Sequence, residues 1–458
     1  MTPDAALAGL WQLAGLPGAA LGCVDLTGRE PVVPSSFAVG TAAQATIAAA
    51  ALAACELGHA RGTERQRVGV AMEHAALECS GWFSLDGRVP ELWDPFSGLY
   101  RSADGWVRIH ANFAHHREGA LRLLGLDPAG ASRADAERAM LQWRSIDFET
   151  AAAEAGLVAT ALRTFEQWDA TAQGQAVARQ PLLTITRIGD APALALPPLT
   201  PQQRPLEGLR VLDLTRILAG PVGGRALAAF GADVMLVNSP HLPNIEAIAD
   251  TSRGKRSCHV DLRQPQGQAD MEQLLASSHV FLQGYRPGGL QALGWGLQEV
   301  ARRRPGIVHV SLSAYGASGP WAGRRGFDSL LQTAMGFNHA EGQAAGDGRP
   351  RALPMQILDQ ASGYLIALGA ASALWRQQRE GGSWQVQVSL AQTAHWLRSL
   401  GRVENGLAAA SPLRDPYLES VPSGFGELAA VRPSATLSRT PAGYTRPAVP
   451  PGHSRAHW

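Results

Sequence analysis

Asp359 is the residue of this chain whose type and setting most invite chemistry. It stands in Ile357-Leu358-Asp359-Gln360-Ala361-Ser362-Gly363, at the start of a small-residue helix that runs to Trp375. A Gly381-Gly382 turn and the strand Gln385–Leu390 follow. The same frame occurs earlier in the chain, as the alanine-rich stretch Thr41–Leu57, a turn at Gly62-Thr63 and the segment Gln66–Met72. Aligning the two strands sets Thr41, to within a residue, where Asp359 stands. A repeated frame that keeps one carboxylate is the pattern of a single nucleophile on a duplicated scaffold. Such a carboxylate can split one difficult group transfer into two easier covalent steps. The structural alternative for an acid at a helix start is an N-cap, and the two roles are compatible.

Other residues could hold an anionic ligand. The chain has 40 Lys and Arg residues, of which Lys255 is the one lysine, set in Ser252-Arg253-Gly254-Lys255-Arg256-Ser257. An ammonium makes a point contact to phosphate and a guanidinium a bidentate one, although a Gly-Lys-Arg loop taken alone is simply solvated. Tyr285-Arg286-Pro287-Gly288 is first of all a turn. The loop Ala219-Gly220-Pro221-Val222-Gly223-Gly224 offers close backbone approach and a helix N-terminus beyond it. The paired His115-His116 read as surface or hairpin residues, and no metal-ligand spacing occurs.

These residues need a scaffold, and 458 residues can supply a large core with two or more structural units. Charged residues are only 17% while Gly and Pro total 80, so much surface should be hidden in interfaces. A net charge of +1 gives no pull toward nucleic acid or anionic membrane. Cys23, Cys55, Cys79 and Cys258 show neither metal spacing nor disulfide density, which fits a reducing cytoplasm. The N-terminus lacks a signal-peptide pattern, and the longest apolar run, Ala45–Cys55, is too short to span a bilayer. The expectation is a cytoplasmic protein.

Residues 206–313 alternate strand and helix signals. Strands are expected at Val211–Leu214, Asp233–Val237, Cys258–Leu262, His279–Leu282 and Ile307–Leu312, with helices through Phe230, over Gln266–Ala276 and over Leu290–Arg302. The alternation predicts an α/β fold, a Rossmann-like parallel sheet with crossover helices, whose ligands sit outside the carboxyl ends of the strands. The GxGxxG fingerprint is absent, which argues against NAD or FAD. Residues 81–196 read as a smaller α+β domain. A hairpin at Leu99–Ile109 turns on Asp104-Gly105, helices follow near 117–124, 134–142 and 148–155, and a strand returns at Leu182–Arg187. The stiff Pro197–Pro205 linker divides a first copy, 1–205 (helix-strand segment 35–80, then 81–196), from a Rossmann-like domain, 206–458, whose tail from Ser411 should wrap extended over a surface.

The stretch Leu206–Pro221 resembles the opening strand and loop of the class III coenzyme A-transferases, the formyl-CoA and carnitine CoA-transferase family. The match continues in order through Phe230–Val234, Gly254–Ser257, Val260–Leu262, Tyr285–Gly288, Ser313–Pro320 and Gly326-Phe327-Asp328. The chain thus resembles two truncated copies fused, with the small domain before the sheet. The resemblance implies a CoA-transferase that moves CoA from an acyl-CoA to a carboxylic acid acceptor, with CoA as substrate and no permanently bound cofactor. Asp359 matches the family's catalytic aspartate, which passes through an acyl anhydride and an aspartyl-CoA thioester. Lys255, Arg256, Tyr285 and Arg286 would hold CoA, with Leu218, Ala219 and Gly220 lining the thioester end. Helix-start N–H groups would keep Asp359 ionised, and an intertwined homodimer is implied. The racemase branch carries a His where this chain has Phe327, so racemisation is disfavoured, and Asp328 should be a hydrogen-bonding structural acid. Leu218, Gly284 and Asn238 depart from the family pattern. The alternatives are an acyl-CoA isomerase or racemase on this scaffold, or a non-catalytic CoA-binding partner subunit.

Overall fold

The computed structural model describes residues 1–458. Seven strands form its central sheet: β1 (Leu183–Gly189), β2 (Arg210–Leu214), β3 (Asp233–Asn238), β4 (Lys255–His259), β5 (Val280–Gln283), β6 (Val308–Ser313) and β7 (Ser383–Ser389). Their order is β4-β3-β2-β5-β6-β7-β1. All pairs are parallel except β7 with β1. The chain leaves β2 toward β3 and β4, then returns to its other side with β5. The order therefore reverses between β2 and β5, and the carboxyl ends of those strands diverge into a crevice.

Helices α1 (Val39–Ala60), α2 (Ala219–Ala229), α3 (Asp328–Ala334) and α4 (Ile357–Glu380) matter most for the site. α1 and α4 are long and apolar enough by composition to cross a membrane, yet both are buried inside the protein. They pack on each other, and α2 packs on α4. Small residues make these contacts close. A Cβ added to Gly363 would lie 2.5 Å from Val222 Cγ1 and 2.8 Å from the Ala219 carbonyl oxygen, and one on Gly223 would lie 2.7 Å from Ile366 Cγ2. Only glycine permits this approach of two helix backbones. The pairing of 219 with 363 and of 223 with 366 means that α2 and α4 run the same way, with α2 starting beside the second turn of α4.

The repeat read from the sequence is present in three dimensions. The N-cap residues Ala38 (φ −77°, ψ 58°) and Gln356 (φ −80°, ψ 63°) share one conformation, so Thr41 and Asp359 are both the third residue of their helices. A three-stranded sheet around Val68–Ala71 has Val24–Thr27 parallel on one side and Ala435–Leu437 antiparallel on the other. This repeats the pattern of β6, β7 and β1. Each sheet is closed by a strand from the other half of the chain. The two halves are thus interlaced within the chain.

Two organisational expectations change. The strand near Leu183 leaves the small unit and becomes β1 at the edge of the central sheet. The tail does not simply lie extended: Leu418–Ser423 and Gly426–Val431 form a hairpin that pairs with Phe83–Leu85. One continuous apolar core joins both halves. The proline-rich segment 197–205 is strapped to the end of α1, where Arg61 donates to the carbonyls of Pro197 (3.1 Å) and Pro205 (3.2 Å).

The small unit keeps its own core of Tyr100, Val107, Ile109, Leu121, Met140 and Phe148. Its sheet joins Gly98–Arg101, Trp106–Ile109 and Ala159–Ala161. Alternation along the middle strand turns Val107 and Ile109 into that core and leaves Arg108 and, beyond it, His110 on the face toward α3.

Candidate active site

Asp359 is buried, 8% exposed, in the first turn of α4. Its backbone N–H donates to Oδ2 of Asp328 at 3.0 Å. The other Asp328 oxygen accepts from the Gln332 side chain, so Asp328 is the hydrogen-bonding acid the sequence suggested. In the first half, the Thr41 N–H donates to Glu30 Oε1 at 2.7 Å in the same way. The duplicated frame therefore carries an acid clamping each helix start, but a second acid at the third helical position in one copy only.

The electrostatics differ from expectation. The helix start does not keep Asp359 readily ionised. Burial first, and then the negative neighbour Asp328, push its carboxyl well above the usual range. Burial also lifts Asp328 to about 6, while hydrogen bonds and Arg108 pull it down. Two carboxyls in one dry site cannot both ionise freely.

The crevice between β2 and β5 opens into a cleft of about 380 Å³. Leu214 from β2, Gly284-Tyr285-Arg286 after β5, and Leu312-Ser313 of β6 line it, as do Arg216, Ile217, Arg324, Arg325 and Phe327. Past Tyr285 and Arg286 it adjoins a groove of about 280 Å³ lined by Ser311, Gln387 and Gln392. Ile217 has a φ of 76°, a true outlier for a β-branched residue, and it sits immediately before the start of α2. Strain of this kind persists only where surrounding packing enforces it, and it gathers at functional sites.

The predicted residues separate into two groups. Tyr285 and the exposed Arg286 are at the cleft rim. Leu218, Ala219 and Gly220 start α2 beside α4, and the first N–H groups of α2 have no intrahelical acceptor. Phe327 lines the cleft and precedes Asp328, the acid that holds the Asp359 N–H.

Lys255 and Arg256 lie elsewhere, which corrects their assignment to phosphate. β4 begins at Lys255, so its side chain is drawn under α2, fully buried, with Nζ 2.9 Å from Asp213 Oδ2 and 2.8 Å from the Pro221 carbonyl oxygen. Arg256 faces Asp233 Oδ1 at 3.3 Å. Asp233 opens β3, so this pair sits at the amino end of the sheet, opposite the cleft. The expected glycine loop is likewise the first part of helix α2. Its glycines serve packing: Gly220 against Thr215, Gly223 against α4, and Gly224 against the Asp213–Lys255 pair, where a Cβ would lie 2.2 Å from Asp213 Oδ2.

The sequence reading passed over Arg216, Arg324 and Arg325, and it took His116 for a surface or hairpin residue, whereas His116 is buried on a helix. Arg324-Arg325 directly precede Gly326-Phe327-Asp328, and that adjacency was the available signal. His116 is buried on the helix Ala114–Leu123 and meets Arg325 Nη1 at 2.9 Å. Burial, with His115 and Arg325 nearby, holds it neutral with a pKa of about 3. No group of three or more His, Cys, Asp or Glu is placed to hold a metal.

The sequence profile of CoA-transferase family III matches residues 8–197 and again 206–410, most of the chain in two segments that meet at the linker. The chain belongs to CoA-transferase family III. An acyl-CoA transferase of Gibberella moniliformis is 32% identical over 64% of this chain and 55% of that relative. A succinyl-CoA:glutarate CoA-transferase of Mus musculus is 34% identical over 37% of this chain and 41% of that relative. The solved structure of a hypothetical protein from Mycobacterium tuberculosis is 33% identical over 43% of this chain and 57% of that one, with a TM-score of 0.40. The chain spans about half the length of the curated relatives it matches. Family membership accounts for the ordered motifs and for the doubled architecture alike.

Proposed function

We propose that this protein is an acyl-CoA:carboxylate CoA-transferase with Asp359 as its nucleophile. The observation that carries the reading is one buried carboxyl in the first turn of α4, a turn before the Gly363 contact with the start of α2, where the equivalent position of the first half holds Thr41. The relatives named for CoA transfer, among them those for succinyl-CoA and glutarate or D-citramalate, support the reaction class.

In the proposed cycle the Asp359 carboxylate attacks the thioester carbonyl, the C–S bond breaks, and CoA leaves as thiolate from an acyl–aspartyl anhydride. The thiolate attacks the aspartyl carbonyl, releasing the donor acid and leaving an aspartyl-CoA thioester. The acceptor carboxylate attacks that thioester and expels the thiolate, forming a new mixed anhydride. Attack of the thiolate on the acceptor's carbonyl frees Asp359 and the product acyl-CoA. No net proton is consumed.

CoA would enter by the cleft, with Arg286, Arg324, Arg325 and Arg216 facing its phosphates; charge-assisted contacts of this kind suit guanidinium forks. The free N–H groups at the start of α2 would receive the oxyanion formed at the thioester carbonyl. The buried setting of Asp359 costs ionisation but leaves the carboxylate poorly solvated and reactive, and it keeps water from the anhydride. Four unpaired cysteines suit the cytoplasmic setting proposed with this chemistry.

The test is exchange of CoA between succinyl-CoA and free acids. Asp359→Asn should abolish exchange while CoA binding, read by calorimetry, stays within about threefold of wild type. Unchanged exchange in the variant would refute the assignment and favour a non-catalytic CoA-binding role.

A further inference from the structure

Arg108 is a buried cation with no partner. It is 8% exposed, its Nε is inaccessible without a hydrogen-bond acceptor, and its guanidinium makes no ion pair. The other buried arginines all have partners: Arg225 and Arg253 have Asp250, Arg163 has Glu149 at 2.6 Å, and Arg61 has the carbonyls of Pro197 and Pro205. An isolated buried charge is strongly unfavourable unless something completes it. The surroundings show what is missing. Asp328 is the acid whose charge acts on Arg108, but its oxygens take Gln332 and the Asp359 N–H, and it makes no hydrogen bond or ion pair with Arg108.

The strand bearing Arg108 packs against α3. Two residues on, and on the same face, His110 stacks on Phe327 with ring centroids 4.0 Å apart and an interplanar angle of 13°. His110 Nδ1 is also buried and unpartnered. Trp93 covers both, with its ring 5.5 Å from Arg108 Cζ and 5.9 Å from the His110 ring. Trp93 is 38% exposed and sits in the segment 86–97, which has no helix or regular strand. Trp93, His110 and Phe327 thus cluster beside one buried cation, and Trp93, from the irregular segment, is the exposed member of the cluster.

We propose that Arg108 binds a second carboxylate on the acid that reacts at Asp359, so that the substrates are short dicarboxylic acids. The inference rests on the transferase reading above. A planar guanidinium matches a carboxylate bidentately, and in its Nδ1-protonated tautomer His110 donates a further hydrogen bond to the same group. The phosphates of CoA are served by the separate arginines of the cleft, beyond Phe327. The strand bearing Arg108 packs on α3, whose first residue, Asp328, holds the Asp359 N–H, so the cation and the reacting carboxyl flank one helix start. A short dicarboxylate would place one end in the anhydride and the other on Arg108.

Glutarate and valerate have equal chain length and differ by the second carboxylate. With succinyl-CoA as donor, wild type should favour glutarate over valerate by at least about 100-fold in kcat/KM, because a site built around a polar group rejects analogues that lack it. Arg108→Met should erase that preference by lowering the glutarate value alone, and Arg108→Lys should restore part of it. Calorimetry of glutarate alone provides a readout independent of turnover: binding by wild type and its loss in Arg108→Met support the proposal. Equal use of the two acids by wild type overturns it, as does an undiminished preference in Arg108→Met. If Arg108→Met fails to fold, Arg108→Gln replaces it with the same expectations. Absence of any Asp359 adduct with succinyl-CoA would sink the transferase reading, whereas glutarate binding that ignores Arg108 would sink only this one.

Discussion

Asp328 accepts a hydrogen bond from the backbone N–H of Asp359, so the acid that locks the first turn of α4 is also the charge that discourages ionisation of the residue it locks. The arrangement fixes Asp359 in position and, by disfavouring its ionisation, couples its charge state to folding. Its counterpart, Glu30 with Thr41, keeps the lock without the second acid.

A pH-dependent stability follows from this pair. The folded protein retains protons on Asp328 and Asp359 that the unfolded chain releases as pH passes about 4. The stability they contribute is complete below that pH and is lost as pH rises through the folded-state values, about 6 for Asp328 and well above the usual carboxylate range for Asp359. Asp359→Asn cannot ionise and should melt above wild type at pH 8, with the gap closing toward pH 4. A variant that melts lower than wild type at pH 8 would contradict the burial argument.

The Asp213–Lys255 pair is structural. Lys255→Met strands a buried carboxylate and should cost about 3–5 kcal/mol in denaturant unfolding. Arg256→Ala removes a partly exposed pair and should cost under about 1 kcal/mol, with CoA affinity unchanged. A large loss of CoA affinity in Arg256→Ala would return that residue to the phosphate site.

Gly363→Ala pushes a methyl into Val222 and the Ala219 carbonyl. Overpacking at such a contact costs about 1–3 kcal/mol. Because it separates the start of α2 from α4, exchange activity should fall further than the stability loss alone explains. Full activity with a lowered melting temperature would show that the helix pairing serves packing only.

The cleft arginines should act additively on the nucleotide end of CoA. Arg286→Ala and Arg325→Ala should each weaken CoA binding about tenfold and flatten its dependence on salt, with little effect on melting temperature. Tight, salt-insensitive binding in the double variant would place CoA elsewhere.

Much of this was legible in the sequence, for identifiable reasons. Apolar runs such as Val211–Leu214 and Ile307–Leu312 mark buried parallel strands whatever the tertiary context, and the repeat around Thr41 and Asp359 survives because helix starts keep their residue spacing. The misreadings were tertiary. A Gly-Lys-Arg sequence looks the same whether the lysine reaches solvent or an Asp213 two strands away. Gly220, Gly223 and Gly224 look like a ligand loop because helix-helix contact and loop approach both demand glycine. Strand β1 carries nothing to say that it joins a different sheet from its sequence neighbours. Arg108 sits in an ordinary hairpin pattern, and only burial without a partner sets it apart.

The central claim is that Asp359 becomes covalently bonded to CoA. After incubation with succinyl-CoA and rapid quenching, tryptic mass spectrometry of the peptide Ala352–Arg376 should show a CoA thioester on Asp359, sensitive to hydroxylamine and absent from Asp359→Asn. Exchange of an α-proton of the acyl-CoA with solvent, with no adduct on that peptide, would contradict it.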